Sequence, residues 1–283
     1  MNPYRLDLPA VVSFSGGRTS GFMLRKILEA HGGQPEDLRV CFQNTGLEHA
    51  ATYDFIRDAG DRWGVEIAWL EYCVDADNQH DYKVVDYASA SRKGEPFTAL
   101  IHKKQYLPNV VARFCTQELK ILTMTRYLET VPGFDDGYTN YVGLRADEPR
   151  RVAKMRGSEV RGMGEVECPV WRAGHTNEDV LEFWRNQDFD LGLPTNGSAS
   201  NCVGCFLKGS ARIRALMADP KTSPYFDFWS EAERIPLRSA PSGARFRKDR
   251  PSYAAMMEEV RRQGVLPFDD SEDEGTISCF CAD

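Results

Sequence analysis

The densest chemistry in the chain lies in the run Val11-Val12-Ser13-Phe14-Ser15-Gly16-Gly17-Arg18-Thr19-Ser20. Apolar residues lead into a Ser/Gly turn, and a helical pattern follows at once. The unpaired first-turn amides of a helix and the positive end of its dipole converge on one spot, so a strand–turn–helix of this composition suits a phosphate. Gly16 and Gly17 let backbone approach a ligand with no side chain in the way. Ser13, Ser15, Thr19 and Ser20 offer hydroxyls and Arg18 a guanidinium. The run lacks the Gly-Lys-Ser/Thr ending of a Walker loop and the three-glycine spacing of dinucleotide folds. Without a ligand it is simply a Gly-rich turn.

Thiols supply the second chemistry. The chain has eight cysteines, and a protein of the reducing cytoplasm uses them for metal binding or thiol chemistry rather than for structural disulfides. Asn201-Cys202-Val203-Gly204-Cys205 is a Cys-x-x-Cys turn, which is half of a four-ligand site. Cys115, in Arg113-Phe114-Cys115-Thr116, falls at a predicted helix start beside a cation, an environment that favours the thiolate. Cys279 and Cys281 of the terminal Cys-Phe-Cys can complete the set, Cys281 being preferred, with Cys168 before Pro169 in reserve. Cys41 alternates with apolar neighbours and reads as a packed core thiol, and Cys73 is uncommitted. All-thiolate ligation with no histidine nearby leans towards iron–sulfur, although zinc also accepts four cysteines. The competing view is that these are unrelated thiols.

The elements that must position these groups alternate in type. After the first strand, Met23, Leu24, Ile27 and Leu28 share one helix face. Residues 38–42 read as a second strand leaving through Asn44-Thr45-Gly46, residues 48–62 as a helix and 65–70 as a third strand. Such alternation implies βαβ units and a mostly parallel, doubly wound sheet, with ligands at the carboxyl ends of the strands. Thr45 and Gly46 fall at that edge beside the Ser/Gly turn. Residues 72–95 are polar and read as a surface excursion or lid. Thr116 is placed to cap a helix carrying Ile121, Met124 and Leu128. Residues 138–144 read as a strand delivering Arg145, Asp147 and Glu148 to the sheet edge. Thr176 and Asp179 have capping-box spacing. Gly, Pro, Ser and Asn dominate 192–201, which divides the chain into an α/β domain over 1–190 and a smaller cysteine-bearing region over 191–283.

Composition sets outer bounds. With 42% hydrophobic residues the chain can build a core. No apolar stretch approaches the ~18 residues of a membrane span. The first strand begins too early for a signal peptide, so the expectation is a cytoplasmic protein with no membrane partner. A net charge of −7 argues against broad nucleic-acid coating. Two local basic clusters remain: Arg145, Arg150, Arg151, Lys154, Arg156 and Arg161, then Arg238, Arg245, Arg247, Lys248 and Arg250. Charge runs are commonly solvated faces, and the acidic tail Asp269, Asp270, Glu272, Asp273 and Glu274 offsets them.

The Ser15-Gly16-Gly17-Arg18-Thr19-Ser20 run resembles the PP-loop of ATP pyrophosphatases and of the phosphoadenylylsulfate reductase family. Asn44-Thr45-Gly46-Leu47-Glu48, Arg113-Phe114-Cys115-Thr116 with Leu119-Lys120, and Gly143-Leu144-Arg145-Ala146-Asp147-Glu148 follow in that family's order. The resemblance spans roughly residues 10–205. It implies an adenine nucleotide alpha hydrolase-like fold, with the Ser/Gly loop on phosphates and Arg145 and Glu148 near nucleotide or substrate. Cluster-bearing members use cysteines placed like Cys115, Cys202 and Cys205. Three departures stand out. Thr19 occupies a position where many members have Asp, Phe114 replaces the first residue of a tandem Cys-Cys, and the Glu-Cys-Gly-x-His-like terminus is missing.

Three functions follow. The first, which the resemblance implies, is an ATP-using enzyme with a [4Fe–4S] cluster and Mg2+. It adenylates a substrate, small molecule or nucleic acid, for sulfur transfer, with a sulfur or electron donor protein as partner, and it also resembles the sulfur-transfer component of DNA phosphorothioation systems. The second is a reductase of adenylyl sulfate or its 3′-phosphorylated form. The third is a metal-stapled, non-catalytic nucleic-acid binder using Arg238–Arg250.

Overall fold

The computed structural model describes residues 2–156, 165–197 and 199–263. Among the described residues six strands form one sheet: β1 (Ala10–Ser13), β2 (Leu38–Asn44), β3 (Ile67–Val74), β4 (His80–Val85), β5 (Thr139–Val142) and β6 (Glu165–Glu167). Their spatial order is β4-β3-β2-β1-β5-β6. All neighbours pair in parallel except β4, which runs antiparallel to β3. Ala10, Val11 and Val12 are all fully buried, as expected of a central parallel strand covered on both faces.

The covering elements are helices. On one face Val12 and Phe14 share a core with Met23, Leu24 and Ile27 of α1 (Arg18–His31) and with Phe55 and Ile56 of α2 (Ala50–Trp63). α3 (Glu95–Lys104) packs beside β3. On the other face Val11, Cys41 and Leu70 meet Met124 and Leu128. These last two belong to a helical run that starts as α4 (Phe114–Thr116), passes through a π-helical segment, Gln117–Leu122, and ends as α5 (Thr123–Leu128). The fold is therefore α/β with a mostly parallel six-stranded sheet and helices on both faces. Cys41 is the core thiol that its apolar neighbours predict, and burial pushes its pKa far up.

Five of the remaining helices are α6 (Pro149–Arg156), α7 (Pro169–Arg172), α8 (Asn177–Arg185), α9 (Ser210–Ala218) and α10 (Tyr225–Ala232), and α11 (Tyr253–Gln263) is the last described. The capping box at Thr176 and Asp179 is present at the start of α8. Around α10 the fully buried Trp229 donates from Nε1 to the Val203 carbonyl at 2.7 Å. Phe206 stacks on Phe246 with ring centres 5.4 Å apart. These aromatics are continuous with the core on the first face of the sheet. Among the described residues no helix is long and apolar enough to cross a membrane.

Two local expectations are corrected. Residues 72–95 are not an irregular excursion: β3 runs to Val74, and β4 pairs with it from Trp69↔Val85 to Val74↔His80. β4 is a half-exposed edge strand, where polar side chains such as Lys83 are normal. Thr116 makes no cap hydrogen bond, because the helical run already begins at Phe114.

Connectivity fixes the position of the site. The chain steps outward from β1 through β2 to β3, then returns to lay β5 on the opposite flank of β1. The carboxyl end of β1 is thus the point where strand order reverses, the usual ligand crevice of open α/β sheets.

Candidate functional site

Residues 14–17 leave β1 at that reversal point and enter α1, with Gly17 as its N-cap in extended conformation. The turn is knitted by its own hydroxyls. The Ser15 and Ser20 Oγ atoms lie 3.0 Å apart, and the buried Ser20 donates to the Gly17 carbonyl at 2.9 Å. Ser13 faces the sheet instead, donating to Asn140 Oδ1 of β5 at 2.8 Å. Arg145, from the turn after β5, spans the gap to donate from Nη1 to Thr19 Oγ1 at 3.0 Å. The two loops flanking the reversal point therefore meet at a guanidinium beside the first turn of α1.

Glu148 holds that guanidinium in place. Its Oε2 accepts the Arg145 amide at 3.0 Å and lies 3.5 Å from Arg145 Nη2, while Oε1 pairs with Arg151. Asp147 takes Arg145 Nε at 3.1 Å. Arg18 is placed differently from its expected phosphate role. It forks onto Asp190, Nε to Oδ1 at 2.7 Å and Nη2 to Oδ2 at 2.6 Å, and also donates to the Leu193 carbonyl. Trp184 adds a bond from Nε1 to the Arg18 carbonyl at 2.9 Å. Together these contacts tie residues 184–193 to the start of α1.

Burial raises the Asp190 pKa, but the Arg18 fork and the Gly192 amide outweigh it, leaving the group below the ordinary carboxylate range. A depressed folded-state pKa contributes stability above the unfolded value, ~3.9, and loses it as pH falls through the folded one. Asp190→Asn is therefore expected to be less stable than wild type at neutral pH, by about 1 kcal/mol or less because Asp190 is partly exposed. The difference should close below about pH 4. Urea midpoints measured across that range check this, and a constant difference down to pH 2 would contradict it.

The second loop, after β2, is built around a buried carboxyl. Glu48 accepts from the Thr45 amide at 3.1 Å, the Thr45 hydroxyl at 2.8 Å, the Leu47 amide at 3.2 Å and the Tyr53 hydroxyl at 3.4 Å. Asn44 donates to Glu71 and to the Ser91 carbonyl, and its Oδ1 accepts the Gly46 amide. Burial first, and the neighbouring Glu48 next, push the Tyr53 phenol pKa up, so it stays a donor. Gly46 has φ +78°, and a Cβ there would come within 2.7 Å of the Gly94 nitrogen, so this turn admits no side chain.

The Cys-x-x-Cys segment docks on this same loop. Cys202 pairs with Glu48 in an isolated antiparallel bridge, and the Val203 amide donates to the Leu47 carbonyl at 2.8 Å. The Thr45 Oγ1 and Cys202 Sγ atoms lie 3.3 Å apart. Lys208, buried, donates from Nζ to the carbonyls of Ser200 and Cys202. Arg250 donates to the Lys208 carbonyl, and Tyr253 to that of Gly204. Cys205 is half-buried, and Cys115 sits in the first turn of its helical run, as its neighbours predict. Cys168 is packed in a small apolar core with Leu144, Val152 and Met155. Cys279 and Cys281 lie outside the described residues, as does Arg161. Among the described residues no three His, Cys, Asp or Glu side chains are arranged to hold a metal ion. Cys115, Cys202 and Cys205 by themselves therefore do not fit a cluster.

No family model matches the chain. It is 32% identical over 214 residues to the uncharacterized nin region protein ORF290 of Escherichia phage lambda, a match covering 74% of this chain and 69% of the phage protein. The chain belongs to the family of that phage protein. An uncharacterized protein of Methanocaldococcus jannaschii is 26% identical over 153 residues, which are 54% of this chain and 26% of the archaeal one. This member of the ORF290 family thus spans only about a quarter of its archaeal relative.

Some of the site's working parts escaped sequence reasoning. Asp190 partners Arg18 across a separation of 172 residues, with no local signal. Glu48 and Asn44 stand in the quoted Asn-Thr-Gly-Leu-Glu motif, yet only the folded turn shows that both side chains bend back onto its amides. Lys208, three residues beyond Cys205, could have been flagged by its closeness to the thiols.

Proposed function

We propose that the carboxyl edge of the sheet is a PP-loop-type adenine-nucleotide site, and that the protein is an enzyme that adenylates a substrate with ATP. One observation carries this reading: Arg145 reaches Thr19 across the reversal point, beside the Ser15–Gly17 turn and the first turn of α1. A guanidinium, helix-start amides and the Ser15 hydroxyl then surround one place where phosphate charge can develop, as preorganised donors do in such transfers. ATP would enter as its magnesium complex. A substrate oxygen would attack the α-phosphorus, the bond to the β-phosphate oxygen would break, pyrophosphate would leave and the acceptor proton would pass to solvent. Arg145 would neutralise charge on the phosphates and Glu148 would position Arg145. Arg18, held by Asp190, would serve as a positioning residue for the 184–193 segment.

Sulfur transfer to the adenylated substrate, with release of AMP, remains part of the proposal through the resemblance alone. The described thiols form no group that would hold a cluster. The test is pyrophosphate release from ATP by purified protein. Arg145→Ala is expected to lower kcat/KM about 10- to 150-fold, the ~1.5–3 kcal/mol of a hydrogen bond to a charged group. An unchanged rate would remove Arg145 from the site. Sulfite release from adenylyl sulfate with an added dithiol reductant, and no pyrophosphate from ATP, would move the assignment to a reductase.

A further inference from the structure

Two cavities flank the segment that joins α3 to α4, and they share Val110 as a wall. The first, about 750 Å3, lies between residues 106–110 and the 237–249 loop. The second, about 490 Å3, lies between residues 110–121 and Lys154 of α6. Both volumes fall in the ~300–1,000 Å3 range of ligand pockets, so each has room for a nucleotide-sized unit.

Their linings are basic in a chain of net charge −7. The first carries Arg245, Arg247 and Lys248 against the single carboxylate of Asp249, which Arg247 already engages through Nε at 3.0 Å. Arg245 donates to the Arg250 carbonyl at 3.3 Å, and Lys248 is solvent-exposed. The second carries Arg113 and Lys154 with no acid among the described residues of its wall. Each cavity has an aromatic in its wall: Tyr106, 47% exposed, lines the first, and the half-buried Phe114 lines the second. Their ring centres lie 6.4 Å apart at an interplanar angle of 41°. Val111 beside them is 90% exposed, far beyond what a residue serving only the core would show.

We propose that this pair of cavities is a binding trough for single-stranded nucleic acid. Cations together with an aromatic in each cavity wall are what an unpaired strand needs. Its backbone phosphates follow the charges, and successive bases stack on rings without sequence preference. A mononucleotide would use one cavity and leave the other idle. A duplex presents no base faces to Tyr106 or Phe114. This trough does not depend on the adenylation chemistry proposed above, and its test is independent of ATP turnover.

The experiment is fluorescence anisotropy of the full chain with labelled DNA and RNA strands of ~15 nucleotides and with the matching duplex, at ~50 and ~200 mM salt. Single strands are expected to bind more tightly than duplex and to weaken steeply with salt. Tyr106→Ala should weaken single-strand binding about 5- to 150-fold, as loss of a stacking platform does. Lys248→Ala should weaken all strands alike and lower the salt slope by about 1. Both residues are at the surface, and matching circular dichroism and Tm would show that the variants are folded. Failure of folded wild type to bind at ~50 mM salt would overturn the proposal. So would duplex binding as tight as single-strand binding, unchanged affinity in both variants, or full displacement of the strand by equimolar AMP.

Discussion

Glu48→Ala is expected to destabilise the protein by about 3–5 kcal/mol, one of the two largest losses any single substitution in the site should cause. Glu48 is 2% exposed and satisfies three donors, the amides of Thr45 and Leu47 and the hydroxyl of Thr45, while the Tyr53 hydroxyl, 3.4 Å away, has a shorter bond to Asn44 Oδ1 at 2.9 Å. Each buried donor left unpaired costs ~1–3 kcal/mol, and only part of that is recovered if water enters the space. The loss is local in origin but not in consequence. The loop that Glu48 holds also receives Cys202 and Val203, so the Cys-x-x-Cys segment should loosen with it.

Glu48→Gln separates shape from charge. Oε2 accepts the Thr45 and Leu47 amides, so a glutamine placing its carbonyl oxygen there keeps both. The Thr45 hydroxyl, which donates to Oε1, can turn to accept from the new amide. The glutamine variant should stay within about 1 kcal/mol of wild type. Urea unfolding of both variants decides the matter. A glutamine variant as unstable as the alanine one would mean that the negative charge itself, and not the acceptor geometry, organises the loop.

How far the sequence revealed this arrangement depends on the range of each interaction. The strand–turn–helix at residues 10–31 and the capping box at Thr176 were legible because their signals lie within a few residues of one another. The mostly parallel sheet followed from the βαβ alternation, but the order of the strands around β1 did not, because alternation leaves open on which side each new strand is laid. β4 was not legible, because an exposed edge strand has no apolar alternation to show, and His80-Asp81-Tyr82-Lys83 has the composition of a loop. The helical run starts at Phe114, ahead of Thr116, and then passes through a π-helical stretch over Gln117–Leu122, an irregularity that a 3.6-residue period cannot anticipate. Arg18 was assigned to phosphates because it follows two glycines. Its actual partner comes from a loop at the far end of the α/β region, and only the tertiary fold could disclose it.

Gly16 and Gly17 give the second large prediction, because the two glycines of the turn are small for different reasons. In Gly16 φ is +74°, and a Cβ would come within 2.6 Å of Thr52 Cγ2 and 2.8 Å of Ile56 Cδ1. Both neighbours are buried side chains of α2. The missing side chain makes room for a helix in the core, not for a ligand. Gly16→Ala should therefore cost ~1–2 kcal/mol for the left-handed backbone and ~1–3 kcal/mol for overpacking, about 2–5 kcal/mol in all. Gly17 has φ −92° and ψ 163°, which alanine adopts without strain. Gly17→Ala should cost only about 1 kcal/mol, for the poorer helix cap that alanine makes. As the N-cap facing the first turn of α1, it should instead weaken ATP binding if phosphates dock on those amides. Equilibrium unfolding and nucleotide titration of the two variants separate these roles. A Gly16→Ala protein as stable as wild type would refute the packing argument, and unaltered ATP affinity in Gly17→Ala would take the phosphates away from this turn.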